Sequence, residues 1–432
     1  MKFNTFFYLS VKIKLFIFFI LILLNFGCSK AATTNDHTIQ LGIDILVSSN
    51  FESIYNKNVG LFTNFSGRNS DGILTAEIMA KQSLFKLKYF FTPEHGFYGE
   101  NHAGEKVENY KVFDIPVISL YGSSRRPDIN LLKELDVVVV DIQDIGIRSY
   151  TFLSSVNYLI SECAEANVQV IILDRPNPIG GNIVDGLVTE KGNENFLSLI
   201  PVPYIHGMTL GELAVMMNEE GWLKNRHNKV VKCKNLSVIK MNGWKRNMCW
   251  EDCNLFWFPT SPQIPTPDAI RGAAMLGIFG ELSLFSIGIG TSLPFQYLGT
   301  PNLKIEDIYN ELDEEVLNGI LIQYSHFKPF YGKFPNMNCK GFIFKFPKTE
   351  FIDNFKPFTS GIKIMLAVRK VHPEIFKSNM VENSKKIMFE KVTGSNILFE
   401  QFFSDCTDEK ILKTANKGVL EFLKIRKKYL IY

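Results

Sequence analysis

Short runs of contiguous apolar residues punctuate the first half of the chain. Val59-Gly60-Leu61-Phe62-Thr63-Asn64, Val117 to Leu120, Asp136 to Asp141 and Val168 to Leu173 read as strands buried on both faces, and Phe85 to Phe91, which carries Lys86 and Lys88, as a further strand. A strand with one wet face would alternate polar and apolar side chains instead. Amphipathic stretches separate these runs, among them residues 73–82 and Phe152 to Ala166. Such alternation predicts a parallel sheet sandwiched by helices, a three-layer α/β domain over residues 38–260. Residues 257–267 then hold four prolines in eleven positions and mark a loop or boundary. Beyond it the patterns mix, at Lys304 to Asn318, Gly341 to Phe346 and Gly361 to Val371, and predict a smaller α+β domain over 261–432.

The beginning of the chain follows neither pattern. Lys2, Lys12 and Lys14 precede the apolar run Leu15 to Leu24, with no acid before Cys28. That layout is an export signal, and ten apolar residues fall short of the roughly 20 a spanning helix needs. The exit Leu24-Asn25-Phe26-Gly27-Cys28 resembles a bacterial lipobox, although Asn25 stands where an aliphatic residue is usual. Residues 1–28 are thus expected to form a lipoprotein signal with Cys28 lipidated, and 29–37 a polar tether. Ordinary cleavage nearby, without lipid, is the alternative. The leader also changes the charge. The chain carries 47 basic and 44 acidic residues, and losing the three lysines leaves 47 − 3 = 44 against 44. A neutral globule offers no electrostatic case for nucleic acid, and 46% hydrophobic residues exclude a mainly disordered one. The expected setting is the cell envelope, periplasm-facing, with the membrane touched through the lipid alone.

Strand ends are where ligands gather in parallel α/β sheets, and polar clusters follow the predicted strands. Glu94-His95-Gly96 follows one, with Glu105 soon after. Asp141-Ile142-Gln143-Asp144 ends another, ahead of Arg148 and Tyr150. Asp174-Arg175-Pro176-Asn177 ends a third, and His206-Gly207-Met208-Thr209 a fourth, Thr209 standing where it would cap a helix from Leu210. Carboxylates on neighbouring strand ends suit paired acid/base work, as in glycoside hydrolysis. Asp141 and Asp174 serve equally well as helix caps or loop anchors, and Asp144 with Arg148 has the spacing of a helical ion pair. Glu94 has no obvious capping role. His95 and His206 with the aspartates would be needed for a metal hydrolase, but no metal-ligand spacing is present. Cys249 and Cys253 allow a local disulfide. Walker, dinucleotide and G-x-S-x-G signatures are absent.

These clusters resemble the NamZ-like exo-β-N-acetylmuramidases from about Gly42 onward. The resemblance rests on Gly60 to Asn64, Thr92-Pro93-Glu94-His95-Gly96, Ala103-Gly104-Glu105-Lys106, Ser119 to Gly122 with Arg125-Arg126-Pro127, and Asp141 to Gly146. It continues through Arg148, Tyr150-Thr151, Asp174 to Gly181, His206 to Leu213, Ser261-Pro262, Gly290-Thr291, Pro294-Phe295 and Thr393-Gly394-Ser395. It implies a Rossmann-like N-terminal domain, a cleft against the smaller C-terminal domain, and no nucleotide cofactor. The implied reaction is release of terminal N-acetylmuramic acid from peptidoglycan-derived sugars. Glu94 is the first choice of catalytic carboxylate, with Asp141 and Asp174 as partners. His95, Glu105, Gln143, Asp144, Tyr150, Asn177 and His206 are placed at the substrate, and Arg126, Arg148 or Arg175 at the lactyl carboxylate of muramic acid. One segment departs from the family. Its pattern like S-E-G-R-G-T reads Ser286-Ile287-Gly288-Ile289-Gly290-Thr291 here, with both charges replaced. That opens a second reading, a glycan-binding envelope lipoprotein without turnover.

Overall fold

A computed structural model describes residues 39–102, 105, 110–122, 124–346 and 355–432. The expected export signal, Cys28 and the expected tether lie outside the described residues. Among those described, the strands are β1 Asn58–Thr63, β2 Lys86–Thr92, β3 Tyr110–Val112, β4 Ile115–Ser119, β5 Val137–Asp141, β6 Gln169–Leu173, β7 Asp185–Val188, β8 Pro203–Ile205, β9 Leu236–Ile239, β10 Tyr297–Thr300, β11 Leu321–Phe327 and β12 Cys339–Lys345. A seven-stranded sheet runs β3-β4-β2-β1-β5-β6-β9, all parallel except the edge strand β3.

The uninterrupted valines of β5 explain the three layers. Side chains alternate across a strand, so Val138 and Val140 join one core with Phe152, Val156, Leu213 and Met217. Val137 and Val139 join the core on the other face with Ile43, Leu46 and Met79. Both faces are dry, and the sequence has no reason to alternate. The α/β reading with a Rossmann-like sheet is therefore observed.

The C-terminal part has its own core around helices Pro267–Gly280 and Pro357–Val371, with the small antiparallel sheet β10-β12-β11. Ile145, Ile147, Ile183, Leu187 and Tyr204 also pack into this core, so the two parts share one apolar contact. The expected single helix over Lys304 to Asn318 is two, Ile305–Asn310 and Glu314–Gly319. The break has a local cause: Asp313 caps the second helix by accepting from the amide of Val316 at 3.0 Å. The chain then returns to the first domain. Phe422 enters its core, and the Tyr432 hydroxyl donates to Asp174 at 2.8 Å. Cys249 and Cys253 are not joined. They bracket one turn, where the Cys249 thiol meets Asp252 at 3.4 Å and the Cys253 thiol meets the Cys249 carbonyl at 3.4 Å. No described helix is long and apolar enough to cross a membrane.

Candidate active site

A cavity of about 590 Å³ lies where the two parts meet. Glu94, His95, Tyr121, Arg125, Tyr150, Thr151 and Tyr204 line it from the first part, and Ser261, Gln263, Ala273, Gly277, Glu281, Phe295 and Lys391 from the second.

Glu94 stands just past β2, after Pro93, where the chain turns sharply. His95 has φ +73° and Gly96 φ +77°. A non-glycine residue in the left-handed region costs of order 1 kcal/mol or more and persists where surroundings enforce it. The Asn101 carbonyl holds the turn: it can only accept, so His95 Nδ1, 2.7 Å away, carries the proton. Glu94 is 6% exposed, and its Oε2 accepts from the Thr151 hydroxyl at 2.6 Å. Burial, then the charge of Glu94, pushes the Tyr121 phenol up to about 12, so it stays a donor beside that carboxylate. Burial likewise raises Tyr150, whose phenol stands beside the Thr260 and Ser261 hydroxyls.

Most of the other residues expected at the site stand behind this wall. Asp141 accepts from Arg175 Nε at 2.5 Å and Nη2 at 2.8 Å and from the Thr75 hydroxyl. Asp174 accepts from Thr209 at 2.7 Å and from the amide of Gly211 at 2.8 Å, anchoring helix Leu210–Glu219. Gln143 donates to the carbonyls of Asp144 and Pro176, at 2.7 and 2.9 Å. Asn177 donates to the Met208 carbonyl at 3.0 Å. Glu105 is exposed and accepts from the amide of His102 at 2.8 Å. None of these lines the cavity; of the expected residues, Glu94, His95 and Tyr150 do.

The anticipated Asp144–Arg148 ion pair is not formed, because the segment is a loop rather than a helix. Arg148 donates instead to the carbonyls of Leu187, Val202 and Thr393, at 2.6, 2.8 and 2.6 Å. Burial lowers its pKa to about 10, still charged at neutral pH. Asp144 faces His206 at 3.7 Å. Of the three arginines considered for a lactyl carboxylate, Arg148 and Arg175 are thus held inside, and Arg126 pairs with Glu162 at 2.9 Å. The arginine on the cavity is their neighbour Arg125, its guanidinium 4.0 Å over the Phe196 ring.

Glu281 and Lys391 were not legible as site residues. Ala273, Gly277 and Glu281 recur every four positions, so one face of helix Pro267–Gly280 and its C-cap meets the cavity. The helix had a sequence signal, Thr266 as N-cap before Pro267 and Asp268. Ile287 and Ile289, which replace the expected charges, are not on the cavity. Ile287 is 6% exposed in the C-terminal core and packs over Gly280.

Two models of exo-β-N-acetylmuramidase NamZ match this chain, the N-terminal one over residues 59–268 and the C-terminal one over 274–432. The chain belongs to the NamZ family. It is 31% identical over 406 residues to the peptidoglycan β-N-acetylmuramidase NamZ of Bacillus subtilis (strain 168), covering 94% of each chain. A crystal structure of a DUF1343 family protein from Bacteroides fragilis NCTC 9343 superposes with a TM-score of 0.83 at 34% identity, covering 92% of this chain and 99% of that one. A second from the same organism gives 0.68 at 25% identity, over 91% and 99%. Among the described residues, no group of three or more His, Cys, Asp or Glu side chains is placed to hold a metal ion.

Proposed function

We propose that this protein is an exo-acting glycosidase that releases terminal N-acetylmuramic acid from peptidoglycan fragments, with Glu94 as a reacting carboxylate. The carrying observation is the buried Glu94 at the end of β2, opening on a cavity shared by both parts of a NamZ-family chain. A sugar bound there meets the phenols of Tyr121 and Tyr150, while the Thr151 hydroxyl already donates to Glu94. Its lactyl carboxylate pairs with Arg125, held in place by Phe196. The replaced charges at Ile287 and Ile289 do not weaken this reading, since neither position touches the cavity.

The purified protein is expected to cleave a chromogenic β-N-acetylmuramide, and Glu94→Gln to lower kcat on the order of 10²–10⁴-fold. Binding of muropeptides with no turnover by the unsubstituted protein would favour the glycan-binding reading instead. Arg125→Met should raise KM for the muramide and leave the matching N-acetylglucosaminide, which lacks the lactyl group, unaffected. Equal effects on both substrates would remove Arg125 from carboxylate recognition.

We also infer export and anchoring through lipid on Cys28, from the leader Lys2 to Gly27. Cys28→Ala should abolish incorporation of labelled fatty acid and shift the protein to the soluble fraction. Unchanged labelling would exclude this anchor.

A further inference from the structure

Helix Pro267–Gly280 ends at the cavity on an acid, which is the unfavourable choice. The last carbonyls of a helix form the negative end of its dipole, where lysine or arginine is favoured and a carboxylate disfavoured. Glu281 sits at that end in helical conformation, φ −64° and ψ −29°. It makes no hydrogen bond or ion pair with the described residues, whereas Glu94 has Thr151.

The charged groups around it do not neutralise it. Tyr204 from β8 lies near enough to feel its charge, and the Tyr204 hydroxyl already accepts from Ser149 at 3.1 Å. Lys385, from helix Asn383–Thr393, is the cation that acts on it, and its pull is smaller than the effect of burial. Lys391 lies further along that helix, on the cavity wall. Burial therefore raises the Glu281 pKa, and the helix end works in the same direction. A carboxyl with no protein partner, at the wrong end of a helix, on a sugar-sized cavity has the features of a proton donor and none of a structural anchor.

We propose that Glu281 is the general acid of the cavity, resting on the glycosidase reading above. Two carboxyls in unlike environments are the arrangement that separates an acid from a base. Glu281 gives its proton to the glycosidic oxygen as the C1–O bond breaks, and the bond pair leaves with the departing alcohol. Water adds its oxygen to C1, and the proton it loses returns to the Glu94–Glu281 pair, so one water is consumed and both carboxyls are restored.

The test uses Glu281→Gln, which is neutral and of the same shape as the protonated acid and should fold normally; unfolding midpoints check this. Two muramides are compared, one with a 2,4-dinitrophenyl leaving group, which departs without a proton, and one with a sugar leaving group, which needs one. Glu281→Gln is expected to lose on the order of 10²-fold or more in kcat on the sugar substrate and less than tenfold on the dinitrophenyl one. Glu94→Gln should lose activity on both. Equal losses on the two substrates, or no loss on the sugar substrate, overturn the assignment of Glu281 while leaving the glycosidase intact. Should Glu281→Gln fail to fold, Glu281→Asp replaces it, with the same two-substrate criterion. Absence of turnover of either substrate by the unsubstituted protein overturns the glycosidase reading and this one with it.

Discussion

Asp144 and His206 meet in the interior without a charge passing between them. The amide of Met208 donates to His206 Nδ1 at 3.2 Å, so the neutral ring carries its proton on Nε2, facing Asp144. Burial raises Asp144 to about 6, and burial followed by the charges of Arg426 and Arg148 lowers His206 to about 3. The two act in opposite directions on stability. Folded Asp144 holds its proton more tightly than the unfolded chain, so stability falls as pH rises from its ordinary 3.8 to about 6. Folded His206 refuses a proton that the unfolded chain accepts below 6.5, so stability falls as pH drops from there toward about 3. In the natural chain the slopes oppose each other. Asp144→Asn should expose the histidine slope, losing on the order of 2–3 kcal/mol more than the natural protein between pH 6.5 and 4. His206→Gln should do the reverse and gain relative stability on acidification. Urea melts at the two pH values decide it, and slopes of the same sign in both variants would refute the opposition. None of this is written in the sequence, where Asp144 paired by spacing with Arg148. Spacing predicts partners only along a helix, and here the chain is a loop whose contacts come from β8 and beyond.

Elements were more legible than partners, for a physical reason. A parallel strand dry on both faces leaves a contiguous apolar run, as β1, β5 and β6 do, whereas β2, with Lys86 and Lys88, and β4 are half-buried and carry shorter apolar stretches. The edge strands β3 and β9 are short and half wet, and left no comparable mark. Glu94, which lines the cavity, stood out in the sequence because it follows a strand and precedes a glycine turn. Arg125 and Lys391 did not, since their place depends on how a loop and a distant helix fold against that strand end. Glu281 belongs to a helix that Thr266 caps at its start but whose uniform burial hides it from a periodicity reading: ten of its fourteen residues are buried, so it shows little amphipathic stripe. The aspartates at the ends of β5 and β6 hold loops and a helix, the alternative their sequence context had allowed.

At the scale of the whole molecule, the two parts are joined by buried polar contacts that span the chain. Asp185 of β7 accepts from the amide and hydroxyl of Thr359, at 2.9 and 2.6 Å. Arg148 gathers carbonyls from Leu187 and Val202 in one part and Thr393 in the other. Charged hydrogen bonds of this kind contribute roughly 1.5–3 kcal/mol each. Arg148→Leu should therefore destabilise the protein by more than about 3 kcal/mol, read from the urea midpoint, and a loss under about 1 kcal/mol would refute this joining role. The position of Thr393 has a further consequence, in time rather than energy. During synthesis Glu94 leaves the ribosome long before Glu281, Lys391 or the carbonyl that Arg148 waits for. A nascent or truncated chain that stops before Glu281 carries Glu94 without the cavity wall that Glu281 and Lys391 supply. The cavity is thus completed only once the last third of the chain has been made.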